Sequence, residues 1–218
     1  MLDEWLLGRN AVREALRARR RVIKEVIVAQ GVEQGGPVAE ILALCQQADV
    51  PFRYVAREEL NRLGREIPHQ GVAALVSRYP LADSDEILSL AQARGEAHFL
   101  LALDSVQDPQ NVGSLLRTAE AVGVHGVLIP RRRAAGVTPA VSRASAGAVE
   151  HLRIAAVTNL TRTLESLKRR DIWVVGVEDH LKAQDYDTVD LGLPLALVLG
   201  GEGSGLGRLI VERCDLLV

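Results

Sequence analysis

Five short apolar runs punctuate the second half of the chain: HFLLALDSV (98–106), GVLIP (126–130), LRIAAV (152–157), IWVVGVE (172–178) and LALVLG (195–200). Each is close to continuous in Val, Ile, Leu and Ala, without strict alternation. That is the pattern of strands buried on both faces of a parallel sheet. Parallel neighbours need long crossover connections. Helical patterns fall in the gaps, near 111–122, 138–149, 159–170 and 205–213. This half is therefore expected to be an α/β layer fold.

The front half alternates at a tighter spacing. A helix is expected over Arg9–Arg19, a strand over 22–29 (VIKEVIVA), a helix over Pro37–Ala48 and a strand over 52–56. A short helix, Arg57–Leu63, and the strand GVAALVS (71–77) complete the unit. Pro37 suits a first helical turn, where its missing N–H costs nothing. The pattern predicts a small sheet with helices on both faces. Residues 78–96 contain Pro80, a polar cluster and one short amphipathic helix, which marks a boundary. The expected organisation is a domain over 1–78, a linker over 79–96 and a second domain over 97–218.

The chain has 218 residues, 48% hydrophobic and 25% charged, with net charge −2. Those are the proportions of an ordinary globular protein, so any nucleic-acid binding must use local clusters. Residues 1–79 carry 12 Lys/Arg against 10 Asp/Glu, and residues 80–218 carry 14 against 18. Two basic clusters stand out, Arg17, Arg19, Arg20, Arg21 and Lys24, and Arg131-Arg132-Arg133. Each reads equally as a nucleic-acid contact or as a solvated charged surface. Cys45 and Cys214 lie far apart without metal-ligand spacing and read as reduced, mostly buried thiols. MLDEWLLGRN lacks the basic and apolar regions of a secretory signal, and no apolar run approaches the roughly 20 residues that span a bilayer. A soluble cytoplasmic protein with no metal and no membrane partner is expected.

The last long strand runs into LVLGGEGSGLG (197–207). Its glycines fit neither the G-x-G-x-x-G dinucleotide fingerprint nor the Walker loop, and no Lys follows. A Rossmann-type dehydrogenase fails on this spacing and on the loop's late position. Two readings stay open, a tight strand-to-helix turn with Gly205 near the helix start, and a loop whose bare backbone approaches a ligand. Glu202 argues against a phosphate and suits hydroxyls, amides or a cationic centre.

Upstream, LDSVQDPQNVGSLLRTAEAVG (103–123) reads as a strand end, a turn and a helix. Pro109 fixes φ, and Asn111 is expected to cap the helix. Gly113 removes bulk where the first turn meets a neighbour. Arg117 follows Asn111 by less than two turns and can share a rim with the helix start; a capped helix with a surface Arg is the plainer reading. In TPAVSRASAGAVEHL, Ser142, Ser145 and Gly147 read as close-packing positions, with Arg143 a further candidate RNA contact.

These stretches resemble the first and second signature motifs of the SpoU-type (TrmH-like) RNA ribose 2′-O-methyltransferases of the SPOUT superfamily. GRNAVREAL, KEVIVA and HQGVAALV (69–76) resemble the substrate-recognition domain of the subgroup that modifies a guanosine of bacterial 23S rRNA. The resemblance covers nearly the whole chain. It implies an N-terminal ribosomal-protein-like RNA-binding domain and a C-terminal α/β domain tied in a trefoil knot. It also implies S-adenosylmethionine as methyl donor, rRNA as partner and a homodimer formed through the C-terminal domain.

By the same resemblance Arg117, Asn111 and Glu202 are the catalytic candidates, and Leu199, Gly200 and Gly201 present backbone to the cofactor. The family's third motif, I-P-M-x-G followed by S-L-N-V-S, would begin where this chain ends at CDLLV. The expectation is a pocket lacking one wall, an uncompleted knot and weak cofactor binding by these 218 residues. The rival readings are a non-catalytic RNA-binding module and a methyltransferase for another rRNA or tRNA nucleotide, including the antibiotic-resistance type.

Overall fold

A strand that the patterning did not reveal opens the fold. β1 (Asp3–Leu7) is followed by α1 (Arg9–Ala18), β2 (Ile23–Ala29), α2 (Pro37–Gln47), β3 (Phe52–Val55), α3 (Arg57–Gly64) and β4 (Val72–Ser77). The computed structural model describes residues 3–64, 67–132 and 134–218. The rest of the chain forms α4 (Ser84–Arg94), β5 (Phe99–Asp104), α5 (Pro109–Ala121), β6 (Gly126–Pro130), α6 (Pro139–Ala144) and a 3-10 turn (Ala148–His151). Then come β7 (Ile154–Val157), α7 (Leu160–Lys168), β8 (Trp173–Val177), β9 (Leu195–Gly200), α8 (Arg208–Val211) and β10 (Leu216–Leu217). Contacts divide the chain into two compact units. The first holds residues up to Pro80 with Val112–Arg117 and Val137–His151; the second holds Leu81–Asn111, Thr118–Gly136 and Leu152–Val218.

The first unit is a four-stranded sheet in the order β1-β4-β2-β3. β1 and β2 run antiparallel to β4, and β2 runs parallel to β3. β1 escapes a reading by pattern because its burial runs from exposed Asp3 to buried Leu7 instead of alternating. Helices cover both faces, as the spacing predicts. Val12 and Leu16 of α1 and Val38 and Ile41 of α2 pack on Val26, Val28, Val72 and Ala74. On the opposite face Leu60 of α3 packs on Ile27, Val55 and Ala73. Each such fully buried aliphatic side chain contributes about 1.5–3 kcal/mol relative to exposure.

The second unit is a six-stranded, wholly parallel sheet in the order β10-β8-β9-β5-β6-β7. Leu100 through Leu103 are all buried, as a strand covered on both faces requires. The segment read as a linker carries α4, whose Ile87 and Ala91 are fully buried. Ile87 lies so close to Gly126 that a Cβ there would overlap its side chain. The helix expected over 138–149 is interrupted. Ala146 and Gly147 adopt φ of 53° and 86°, which ends α6 and starts the 3-10 turn. The helix expected over 205–213 shrinks to Arg208–Val211, because Gly205 is left-handed at φ 58° and Gly207 is extended. Both cysteines are free, and burial raises each thiol to about 11.

One buried charge network ties the first unit together. Arg21 has a side chain with 0% exposure; its Nε donates to Glu150 Oε2 at 2.8 Å, and its Nη1 pairs with Glu4. The Ser142 hydroxyl donates to Glu150 Oε1 at 2.9 Å. The Tyr79 ring lies 5.2 Å from the Arg21 guanidinium carbon. Burial pushes the Glu150 carboxyl up, against Arg21 and the Ser142 hydroxyl, which favour its charged form. Removing one member of a buried pair costs about 3–5 kcal/mol, whereas replacing both with apolar groups is often neutral. Arg21→Ala is expected to lower stability by about that amount, while Arg21→Met with Glu150→Leu recovers most of the loss. Urea midpoints of the two variants check this; equal losses would contradict it.

Candidate functional site

The two motifs, about a hundred residues apart in sequence, meet on adjacent strands. β5 and β9 pair in parallel over six residues, from Phe99↔Leu195 to Leu103↔Leu199 and Asp104↔Gly200. From β5 the chain moves to β6 on one side, and from β9 it moves toward β10 on the other. The boundary between β5 and β9 is thus the topological switch point, where crevices open beyond the carboxyl ends of strands.

Backbone geometry shapes the loop after β9. Gly201 pairs with Gly205 in an isolated bridge, with Gly205 N donating to Gly201 O at 3.0 Å. A Cβ on Gly200 would overlap the Gly205 backbone, and one on Gly201 would stand 2.7 Å from Ser105 O. Only bare backbone fits at either position. Two carboxylates then fix the far side of the loop. Glu178 Oε2 accepts from Leu206 N at 2.7 Å, and Asp104 Oδ2 accepts from Gly207 N at 2.8 Å. A cleft of about 700 Å³ lies beside the loop, lined by Glu178, Asp179, Tyr186 and the glycines 201, 203 and 205. Glu178 and Asp104 were missed in the sequence. Asp104 lies inside LDSVQDPQNVG, but nothing local indicates that its carboxylate holds an amide 103 residues later.

Of the sequence candidates, Leu199 and Gly200 are half-buried, Gly201 is buried and Glu202 is exposed on the same loop. Asn111 is half-buried in the first turn of α5, and Arg117 is exposed further along that helix. Asn111 is not the cap. Asp108 occupies that position, and its carboxylate accepts from Asn111 N at 3.0 Å. Pro109 explains the shift, since it forces the preceding residue into extended backbone and itself suits the first helical position. Gly113 does sit where bulk is excluded, because a Cβ would lie 2.8 Å from the Ala144 carbonyl carbon. Ser142 and Ser145 are fully buried, and a Cβ on Gly147 would come within 2.9 Å of Asn10 O. Close packing accounts for Gly147, while the buried serines also serve as donors, Ser142 Oγ to Glu150 Oε1 at 2.9 Å and Ser145 Oγ to Ser142 O at 3.0 Å.

The structure gives partners to most of the first basic cluster. Arg21 is buried in its ion pairs, Arg17 pairs with Glu14 and Glu40, and Lys24 pairs with Asp3 at 2.6 Å. Arg20 donates to the Tyr79 hydroxyl at 2.9 Å, and Arg19 is exposed. Arg143 is half-buried. Arg131 and Arg132 are exposed, and Arg133 lies outside the described residues. Among the described residues no group of three or more His, Cys, Asp or Glu could hold a metal ion, and no helix is long and apolar enough to cross a membrane.

The family model described as SpoU rRNA Methylase family matches residues 98–218, a span that contains both motifs. The chain belongs to that family. A second model, RNA 2′-O ribose methyltransferase substrate binding, matches residues 5–82. YacO of Bacillus subtilis (strain 168), assigned to the TrmH family of tRNA/rRNA methyltransferases, is 42% identical over 215 residues, covering 99% of this chain and 85% of that protein. The SpoU methyltransferase AviRb from Streptomyces viridochromogenes, solved in complex with AdoMet, superposes with a TM-score of 0.78 at 23% identity, covering 99% of this chain and 79% of AviRb. An AdoMet-bound rRNA methyltransferase from Sinorhizobium meliloti gives 0.76 at 22% identity, with 99% and 77% covered. The two superpositions establish the fold, and family membership makes the chain an RNA methyltransferase. The rival reading as a binding module without an enzyme gives way to this.

If Glu178 and Asp104 hold the loop as the geometry indicates, removing either frees a specific amide. Glu178→Ala is expected to speed hydrogen exchange at Leu206 by about 10-fold or more, the equivalent of a lost charge-assisted hydrogen bond of about 1.5–3 kcal/mol. Asp104→Ala should do the same at Gly207. Exchange resolved by residue reads the difference, and unchanged protection at both amides would contradict it.

Proposed function

We propose that this chain transfers the methyl group of S-adenosylmethionine to a ribose 2′-hydroxyl of RNA, with a guanosine of 23S rRNA as the target. The observation that carries the reading is the bare-backbone loop at the β5/β9 switch point, inside the segment matched by the methylase family. AviRb, which shares the fold, was solved with AdoMet bound, and the front segment matches a substrate-binding model of 2′-O ribose methyltransferases.

The residues present fit this donor. It carries a sulfonium cation together with hydroxyl and amide groups, and the cleft offers glycine backbone beside the Glu178 and Asp179 carboxylates. Opposite charge and exposed backbone N–H and C=O suit such a group. Leu199, Gly200 and Gly201 would hold it. When bound, it supplies a methyl already activated for attack.

The chain's own residues then position and stabilise. A ribose hydroxyl is a weak nucleophile near neutral pH, so alignment and charge stabilisation carry the rate. A guanidinium stays protonated throughout, which makes Arg117 a poor base. Its role in this reading is to grip the adjacent RNA phosphate and stabilise the developing alkoxide. Asn111 positions the RNA, and Glu202 orients its neighbours on the loop. The segment 1–78 recognises RNA, the segment 97–218 carries the chemistry, and the enzyme works in the cytoplasm as a homodimer through the C-terminal segment.

Arg117→Ala is expected to keep the fold and S-adenosylmethionine binding while methyl transfer falls by about 10²–10³-fold, the usual effect of losing one transition-state donor. Labelled methyl transfer to rRNA from a deletion strain measures this, and wild-type turnover would refute the assignment. Mapping 2′-O-methyl sites in that strain tests the target; a missing methyl on tRNA or on another rRNA nucleotide would replace the 23S guanosine.

A further inference from the structure

Between Ala121 and Leu164 the sequence holds six arginines and a single acidic residue, Glu150. Glu150 is 0% exposed and bound to Arg21, so this stretch presents no carboxylate to solvent. Elsewhere the exposed arginines divide: Arg53 pairs with Glu25 and Glu59, Arg170 with Asp85 and Arg213 with Glu165, whereas Arg19, Arg57, Arg62, Arg78, Arg117 and Arg169 form no ion pair with a described residue and lie scattered along the chain. Within the stretch only Arg153 is paired in this way among the described residues outside the buried network, with Glu86 at 3.1 Å.

Three of the remaining arginines sit at one corner of the parallel sheet in the second unit. Arg131 and Arg132 directly follow β6, and Arg162 lies in the first turn of α7, directly after β7. The two strands stay paired to their ends, at Pro130↔Val157. Arg131 N donates to Val157 O at 2.9 Å and its Nε donates to Ala156 O at 3.0 Å, which holds the side chain across the end of β7. The Asn159 side chain accepts from Arg162 N at 3.0 Å and fixes the start of α7. All three arginines are exposed, and none forms an ion pair with a described residue.

We infer that this corner binds the phosphodiester backbone of the RNA substrate beside the nucleotide that is methylated. The inference rests on the RNA methyltransferase reading and adds a docking surface to it. Guanidinium forks match phosphate oxygens in geometry as well as charge. An apolar anchor for a protein or membrane partner is missing here: no exposed large hydrophobic residue falls between Val122 and Trp173 among the described residues. β7 is two strands from β5 and ends on the same carboxyl edge. At about 4.8 Å per strand, the corner stands roughly 10 Å along the sheet from the β5/β9 crevice. That separation suits phosphates neighbouring a nucleotide held at the crevice. Backbone contacts of this kind position RNA without reading its sequence.

The test uses the full chain and a short mixed-sequence single-stranded RNA, with affinity measured by fluorescence anisotropy across a salt series. Each phosphate contact on a single strand contributes about 0.7 to the slope of log affinity against log salt. The triple variant Arg131→Gln, Arg132→Gln, Arg162→Gln is expected to lose about 2 from that slope and to bind at least about 10-fold more weakly at low salt. Arg169→Gln, exposed at the opposite end of α7, should leave both unchanged. Circular dichroism melts confirm that the variants fold. A triple variant with the wild-type slope overturns the corner while leaving the RNA reading intact. A wild-type chain without salt-dependent RNA binding overturns both. Binding to anionic phospholipid vesicles that the triple variant loses, with the RNA slope unchanged, overturns the corner in favour of a membrane surface.

Discussion

The parallel pairing of β5 with β9 is the constraint on which the candidate site depends. It sets Asp104 opposite Gly200 and lets two loops, distant in sequence, share a single carboxyl edge. Without that register the Asp104 carboxylate could not reach Gly207 N, and Ser105 O could not lie against Gly201. Because successive side chains along a strand point to opposite faces, a slip of one residue would turn Asp104 away from the loop altogether. The apolar runs that specify the sheet therefore also specify the site. Leu100–Leu103 and Leu195–Val198 fix the register through burial, and the polar residues just beyond them inherit their positions.

Glycine does different work at the neighbouring positions of the loop. At Gly205 a left-handed φ of 58° turns the chain back. At Gly200 and Gly201 the constraint is space, since each faces backbone that a Cβ would strike. The loop thus closes on itself through backbone contacts and is pinned by two carboxylates at Leu206 and Gly207. A surface built this way presents peptide groups held by their surroundings, with little reorganisation needed when a polar group arrives.

Much of this was legible in the sequence. Near-continuous apolar runs identify the parallel sheet, and LDSVQDPQNVG and LVLGGEGSGLG carry the resemblance to the family. β1 was not legible, because five residues grading from charged to apolar carry no period. The break after α6 was hidden for a different reason: Ala146 takes a positive φ that no alanine advertises. The cap at Asp108 could have been read, since proline dictates the conformation of the residue before it, and Asn111 drew attention only because its residue type also caps helices.

Charge is where sequence and structure part most instructively. Arg17, Arg19, Arg20, Arg21 and Lys24 form the densest basic run in the chain, yet most of that charge is spoken for within the first unit. Arg21 finds its partner 129 residues away, at Glu150, and both lie out of contact with water. The same pairing buries Glu150, the single acidic residue in sequence between Ala121 and Leu164. It withdraws a cation where the sequence reads as basic. Coulomb attraction between exposed charges is weak and screened, so what a phosphate meets is the balance left after such pairings. Counting charges along the chain locates candidates, and the partners that the fold supplies decide which of them face solvent unopposed.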